Sequence, residues 1–127
     1  GTQRKKILIA DDSAGNRELL RTMALHSGYD VIEAADGESA VAAAARDLPD
    51  LILLDIRMPG LDGYAALAAL RQDVKLRAVP VVAVTAHAMG GDREKGLEAG
   101  FDEYLAKPVG LRQMRALFER YLEEGQE

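Results

Sequence analysis

The sequence predicts an α/β fold, a doubly wound sheet of five parallel strands with five helices on its two faces. Five short apolar segments have the length and composition of strands that are buried on both faces. Each is followed by a longer stretch in which apolar residues recur at helical spacing. Since parallel neighbours need a crossover helix, this alternation indicates a parallel sheet covered on both sides. With the first strand central, the expected strand order is 2-1-3-4-5.

The predicted strands are the segments 6–10, 29–34, 51–54, 81–85 and 101–106. The third is a continuous apolar run that stops at Asp55, and the pair Pro59–Gly60 then takes the chain out of regular structure. The fourth is rich in β-branched residues, which favour strands. A carboxylate at the carboxyl end of a buried parallel strand lies where such folds hold their ligands.

Helix signals fill the gaps between these strands. Ser13, Asp36 and Asp62 are the residue types that cap helix N-termini, and each precedes a helical apolar pattern. The first predicted helix covers 14–26, the second fades at 48–49, and the fourth runs from 92 to Gly100. The inner stripes of the first and last helices are predicted to include Leu19 and the C-terminal set Leu111, Met114, Leu117, Phe118, Tyr121 and Leu122.

Composition bounds the class of protein. With 127 residues, 48% hydrophobic and 29% charged, the chain has the size and balance of one folded domain. We expect the domain at 6–124, with 1–5 an extension or tag remnant and 125–127 a tail. The absence of cysteine excludes disulfides and thiolate chemistry and agrees with a cytoplasmic location. A net charge of -5 argues against direct nucleic-acid binding, and no apolar run is long enough for a membrane span.

Polar residues end four of the five predicted strands: Asp11 with Asp12, then Asp55, Thr85 and Lys107. Neighbouring strands lie about 4.8 Å apart, so the three carboxylates should lie within roughly 5 to 8 Å of one another. Such close like charges call for a cation, and Mg²⁺ suits a small set of oxygen ligands. A metal ion, a lysine and a hydroxyl around one carboxylate are what phosphoryl transfer requires.

Ordinary helix capping is the alternative explanation of Asp11 and Asp12. Ser13 already occupies the capping position, which leaves both acids without a predicted structural role. A metal-binding role for the pair is therefore the preferred interpretation.

The motifs Asp11–Asp12, Asp55 with Met58-Pro59-Gly60, Thr85–Ala86 and Lys107–Pro108 occur in one order at the predicted strand ends. In this combination the chain resembles the receiver domains of response regulators in two-component signalling, over nearly its whole length. The sequences around Thr85 and Lys107 resemble those of the receiver domains of hybrid histidine kinases and of single-domain regulators more than those of DNA-binding regulators. The resemblance implies that Asp55 is the phosphoacceptor, that Mg²⁺ is the cofactor, and that the domain catalyses only its own phosphorylation and dephosphorylation.

The same resemblance assigns roles to individual residues. Asp12, Asp55 and the backbone carbonyl of Arg57 would bind Mg²⁺ directly, and Asp11 would act mainly through a bound water. The resemblance also implies that Thr85 and Lys107 hold the oxygens of the phosphoryl group. Tyr104 would be the aromatic residue that moves inward once Thr85 has moved. The Lys107–Pro108 peptide bond would be cis.

Arg57 and His87 lie two residues after Asp55 and Thr85, at places that flank the path of attacking water in receivers. We predict that they modulate the lifetime of the phosphorylated state; the alternative is that both are solvated loop residues. The implied partner is a histidine kinase or a histidine phosphotransfer protein, docking near 14–21, with no contact to nucleic acid or membrane. The unphosphorylated domain is expected to be monomeric.

Two other classes share part of the pattern. A flavodoxin-like binding module would need a Ser/Thr/Gly phosphate loop after the first strand, where Asp11 and Asp12 would repel a phosphate. A haloacid-dehalogenase-type phosphatase also forms an aspartyl phosphate, but its nucleophile belongs to a D-x-D arrangement after the first strand, and the sequence has none there.

Overall fold

The computed structural model describes residues 4–86 and 90–123. One parallel sheet runs through the domain in the order β2-β1-β3-β4-β5, as predicted. Its strands are Lys6–Ala10 (β1), Asp30–Ala34 (β2), Leu51–Leu54 (β3), Val81–Thr85 (β4) and Glu103–Ala106 (β5). β2 lies on one side of β1 and the later strands lie on the other, so the direction in which strands are added reverses between β1 and β3.

Five helices connect and follow the strands. They are Ala14–His26 (α1), Gly37–Asp47 (α2), Gly63–Gln72 (α3), Asp92–Ala99 (α4) and Leu111–Tyr121 (α5). The three predicted caps are confirmed, because Ser13, Asp36 and Asp62 each accept a hydrogen bond from the amide three residues further on. These bonds satisfy backbone donors that a helix start leaves unpaired.

Two strands begin later than the apolar patterns predict. The amide of Tyr29 donates to the carbonyl of Ala24 (3.1 Å), so Tyr29 still closes α1 and β2 begins one residue later. The amide of Phe101 likewise donates to Gly96 (3.2 Å) and closes α4, and β5 begins only at Glu103. In both places an apolar residue that resembles a strand start is used to terminate a helix.

The sheet separates two apolar clusters. One contains buried side chains of α2 and α3 together with Tyr104, and the other contains side chains of α1 and α5. Alternate residues of β1 point into opposite clusters, as the pleat of a strand requires. The prediction of burial is wrong for two residues: Leu19 of α1 is 47% exposed and Leu111 of α5 is 43% exposed. Helical spacing identifies the apolar stripe of a helix, but it does not show how much of that stripe the neighbouring elements cover.

No helix in the ranges 4–86 and 90–123 is both long and apolar enough to span a membrane. The domain limits predicted at 6 and 124 stay predictions, since the residues from 124 onward lie outside the described part of the chain.

Candidate functional site

Three strand-end carboxylates meet at one edge of the sheet. The amide of Asp11 donates to Ala34 of β2 (3.0 Å), and the amide of Asp55 donates to Ala10 of β1 (2.9 Å). These bonds extend the parallel ladder by one residue and bring both aspartates to the switch point of the fold. One oxygen from each of Asp11, Asp12 and Asp55 lies within 4.8 Å of the others. The carboxylate cluster that we expected at this edge is therefore formed.

Lys107 reaches into this cluster from the end of β5. Its Nζ lies 2.7 Å from Asp11 Oδ2 and donates a hydrogen bond to Asp55 Oδ2 at 2.8 Å. Its backbone amide donates to the carbonyl of Thr85 (2.9 Å), which fixes the end of β5 beside the end of β4. Burial by itself lowers the pKa of Lys107, but contacts with the two aspartates and their charges outweigh burial, so that the pKa is raised.

The carboxylates differ in their surroundings. Asp11 is buried, and its Oδ1 accepts a hydrogen bond from the amide of Ser13 (2.9 Å), so Asp11 also has the structural role that the sequence did not predict. Asp11 Oδ2 is buried and, apart from its close contact with Lys107, has no hydrogen bond of regular geometry. Asp12 is exposed. A set of hard oxygen atoms with one incompletely satisfied buried member fits a divalent cation.

Asp55 is held at both oxygens. Its Oδ1 accepts a hydrogen bond from the backbone amide of Arg57 (3.1 Å), while Oδ2 accepts the bond from Lys107. Asp55 is buried, with 5% of its surface exposed. Directly behind the carbonyl of Asp55 lies Gly63, the first residue of α3, where an added Cβ would lie 2.7 Å from that carbonyl oxygen. The loop that presents Asp55 is thus packed against a helix start without a side chain between them.

A cleft of about 550 Å³ opens beside the cluster. Its lining includes Asp12, Arg57, Tyr64 and Lys95, so Asp12 is the member of the carboxylate cluster that faces the cleft. Arg57 is exposed and lines this cleft. His87, the other predicted lifetime modulator, lies outside the described residues.

Thr85 and Tyr104 are both buried. Thr85 is the last residue of β4 and pairs in register with Ala106 of β5, one residue before Lys107. Burial raises the pKa of the Tyr104 phenol, and the nearby Tyr64, Asp92 and Asp55 reinforce the rise. The Lys107–Pro108 peptide bond is cis, which is the geometry that the resemblance implied.

Arg17 belongs to the surroundings of the site although the sequence did not single it out. Its guanidinium donates to the carbonyl of Asp11 (2.6 Å) and forms an ion pair with Glu33 of β2 (3.2 Å). The bond restrains the loop that carries Asp11 and Asp12. Its position one turn after the Ser13 cap places Arg17 beside the strand ends, but spacing alone does not show which backbone group it contacts.

A doubly wound sheet with acidic residues at the ends of β1 and β3 and a lysine at the end of β5 defines a receiver-type signalling domain. The sequence profile of the response regulator receiver domain matches residues 7–119. The chain therefore belongs to the response regulator receiver family of two-component systems.

Relatives and solved structures agree with this assignment. Response regulator PleD of Caulobacter vibrioides is 46% identical over 104 residues, covering 82% of this chain and 23% of that protein. Hybrid signal transduction histidine kinase I of Dictyostelium discoideum is 40% identical over 112 residues, 83% of this chain and 6% of the kinase. The chain thus spans less than a quarter of these two relatives.

A crystal structure is similar over most of both chains. It is the receiver domain of the sensor histidine kinase PA1611 of Pseudomonas aeruginosa, with a magnesium ion coordinated in the active-site cleft. The TM-score is 0.87 at 39% identity, over 94% of this chain and 98% of that one. Membership in the receiver family leaves neither the flavodoxin-like module nor the haloacid-dehalogenase-type phosphatase with support.

Proposed function

We propose that the domain takes a phosphoryl group from a partner's phosphohistidine onto Asp55 and later releases it to water. The observation that carries this proposal is the contact of Lys107 with Asp55, 2.8 Å between Nζ and Oδ2, in a carboxylate cluster whose member Asp12 lines an open cleft. The lysine would stabilise the negative charge of the transferring group without reacting itself. The domain would act as a signalling module and would turn over no other substrate.

In the proposed transfer, a carboxylate oxygen of Asp55 attacks the phosphorus of the phosphohistidine. The new oxygen–phosphorus bond forms as the phosphorus–nitrogen bond breaks. The electron pair of the broken bond stays on the imidazole nitrogen of the partner. In the later hydrolysis, water attacks the phosphorus of the aspartyl phosphate. The bond between the phosphorus and the Asp55 oxygen breaks, its electron pair stays on the carboxylate, and inorganic phosphate leaves with the oxygen of the water. Lys107 Nζ and the Thr85 hydroxyl would bind the phosphoryl oxygens during both steps.

We propose that the metal is Mg²⁺, held by the side chains of Asp12 and Asp55 and the backbone carbonyl of Arg57, with Asp11 acting through water. The mutual approach of the carboxylates to within 4.8 Å supports such a site, as does the magnesium in the related kinase receiver. When bound, the ion would neutralise the carboxylates and the oxygens of the phosphoryl group.

Asp12→Asn is expected to remove most of the stabilisation that Mg²⁺ confers. A ligand that binds only the folded chain adds about 2.7 kcal/mol at a concentration of 100 times its dissociation constant. Urea unfolding with a chelator and with Mg²⁺ would measure this gain in the native chain, in Asp12→Asn and in Asp30→Asn, an exposed carboxylate of β2. An equal gain for all three chains would contradict the metal assignment.

The switch would connect the phosphate to the surface formed by α4, β5 and α5. In this proposal Thr85 would move toward the phosphoryl group, and Tyr104 would respond to that movement. Thr85 and Tyr104 are both buried and belong to the neighbouring strands β4 and β5. Their burial supports a coupled movement, because a buried side chain cannot shift unless its neighbours shift as well.

Arg57→Asn is expected to shorten the lifetime of the phosphorylated state by about tenfold, the effect of roughly 1.4 kcal/mol on the barrier. The exposed guanidinium at the cleft would screen Asp55 from water, whereas asparagine is shorter and uncharged. Decay of the aspartyl phosphate after removal of the donor measures this rate, with Arg112→Asn on the exposed face of α5 as control. Equal decay rates for Arg57→Asn and Arg112→Asn would contradict a role of Arg57 in the lifetime of the phosphorylated state. We propose His87 as a second residue that modulates this lifetime.

We propose that a histidine kinase or histidine phosphotransfer protein docks on α1 beside the Lys107–Pro108 turn. Leu19 is 47% exposed there and lines a shallow groove with Asn16, Pro108 and Val109. An exposed apolar side chain at the edge of the site suits protein contact better than nucleic acid. We further propose a cytoplasmic location, where kinases have ATP, and a monomer before phosphorylation.

Incubation with acetyl phosphate and Mg²⁺ tests the central proposal. The intact mass of the native chain should rise by one phosphoryl group, and the mass of Asp55→Ala should not change. Asp30→Ala, which removes an exposed carboxylate, should be phosphorylated like the native chain. Phosphorylation of Asp55→Ala, or none in the native chain, would refute it.

A further inference from the structure

Gly96 lies inside α4, and its missing side chain faces Tyr104. The residue is buried, and glycine is the least favourable residue after proline for the interior of a helix. A glycine at a buried helical position without positive φ is therefore unexplained by backbone geometry. Its neighbour in space explains it.

The ring of Tyr104 occupies the volume that a side chain at position 96 would fill. An added Cβ would lie 2.4 Å from Cδ2 and 2.7 Å from Cε2 of Tyr104, closer than real Cβ contacts. Tyr104 is only 3% exposed in this position. The buried position of the ring thus requires a residue without Cβ at 96.

Two hydrogen bonds restrain α4 beside Tyr104, one from the guanidinium of Arg93 and one that closes the end of the helix. Arg93 of α4 donates to the carbonyl of Tyr104 (3.0 Å), and the amide of Phe101 donates to the carbonyl of Gly96 (3.2 Å). Separating α4 from β5 to admit a methyl group would disturb the bond from Arg93 to Tyr104. Rotation of the Tyr104 side chain breaks neither hydrogen bond, so the ring is the part expected to move.

We propose that Gly96 is a positioning residue that sets the balance between buried and exposed positions of Tyr104. Without a side chain at 96 the buried position is available before phosphorylation. A methyl group there would favour the exposed position by about tenfold or more, the usual effect of overpacking by one methyl. The contact itself depends on no phosphate; only its regulatory consequence rests on the proposed phosphorylation of Asp55.

Fluorine NMR of the unphosphorylated chain carrying fluorotyrosine tests the position of the ring. The chain has four tyrosines, and Tyr104→Phe identifies the signal of Tyr104. In Gly96→Ala this signal should move toward the solvent-exposed range and become sensitive to a soluble paramagnetic agent. Gly15→Ala in α1 is the matched control, because an added Cβ there meets only Ser13 Oγ at 3.9 Å. An unchanged Tyr104 signal in folded Gly96→Ala would overturn the proposal.

Urea unfolding of a double-mutant cycle provides an independent measurement. Gly96→Ala should lower the unfolding midpoint of the native chain but raise it in the Tyr104→Ala background, where only the better helix propensity of alanine remains. A change of the same sign and size in both backgrounds would show that residue 96 does not sense the ring, and would overturn the proposal.

Acetyl phosphate labelling separates this inference from the proposed function. If buried Tyr104 and phosphorylated Asp55 favour each other, Gly96→Ala should reach a lower phosphorylated fraction than Gly15→Ala at the same donor concentration. Loss of labelling in the native chain would refute phosphorylation of Asp55 while the NMR result still decides the role of Gly96. Equal fractions in the two variants would refute the coupling of ring position to phosphorylation.

Discussion

Replacing Lys107 with methionine is expected to lower the free energy of unfolding at neutral pH by about 3 kcal/mol in the absence of divalent ions. Its Nζ lies within 2.8 Å of carboxylate oxygens of both Asp11 and Asp55, and both aspartates are buried. Methionine has a similar length but no charge, so the two buried carboxylates would face each other without compensation. Urea unfolding in a chelator, followed by circular dichroism, measures the loss.

The pH dependence of this loss has a definite sign. The pKa of Lys107 is raised above its ordinary value of 10.5, so the folded chain holds this proton more tightly than the unfolded chain. The stabilisation from the charge is therefore complete below pH 10.5 and is lost as the pH rises through the folded-state pKa. The difference between the native chain and Lys107→Met should be constant near neutrality and shrink in strong alkali.

An exposed lysine provides the control for this prediction. Lys75, in the turn between α3 and β4, should change the unfolding free energy by less than about 0.5 kcal/mol when replaced with methionine. If Lys107→Met were no more destabilising than Lys75→Met, the ion-pair interpretation would be wrong. Mg²⁺ should restore part of the stability of Lys107→Met if it binds the same carboxylates.

Gly63→Ala is expected to destabilise the domain by about 3 kcal/mol and to slow phosphorylation of Asp55. An added Cβ would lie 2.6 Å from Ile56 Cα and 2.7 Å from the carbonyl oxygen of Asp55. Both atoms belong to the backbone, so no change of side-chain rotamer relieves the contact. The segment that carries the proposed phosphoacceptor would have to move away from α3.

Gly15→Ala separates this effect from the general consequences of adding a methyl group to a helix. Its added Cβ makes only an ordinary contact, and alanine stabilises helices relative to glycine by up to about 1 kcal/mol. Unfolding midpoints and initial rates of acetyl phosphate labelling should therefore diverge between the two variants. A Gly63→Ala chain as stable and as reactive as Gly15→Ala would show that the backbone adapts freely.

The features that the sequence predicted depend on local or periodic signals. Ser13, Asp36 and Asp62 begin helices because a capping side chain needs only the next turn to act. The convergence of Asp11, Asp55 and Lys107 followed from the parallel sheet, since residues at strand ends share one edge whatever the details of packing. These features therefore follow from the amino-acid sequence alone.

The features that the sequence did not predict depend on contacts between distant segments. Gly63 and Gly96 look alike in sequence, yet one clears the backbone of Asp55 and the other the ring of Tyr104. The bond from Arg17 to the Asp11 carbonyl depends on how α1 lies against the strand ends. Leu19 fits the periodicity of a buried residue but lies beyond the edge of its cluster.

The two apolar clusters on opposite faces of the sheet have a consequence for how such a domain can diverge. Tyr104 lies in the cluster beneath α2 and α3, whereas α1, the proposed partner surface, belongs to the other cluster. Substitutions that alter partner choice on α1 therefore need not disturb the packing around Tyr104, because the strands separate them. Under the proposed docking on α1, partner choice and the position of Tyr104 would be separable traits, and exchanging the exposed residues of α1 would offer a way to change the partner while the packing around Tyr104 is kept.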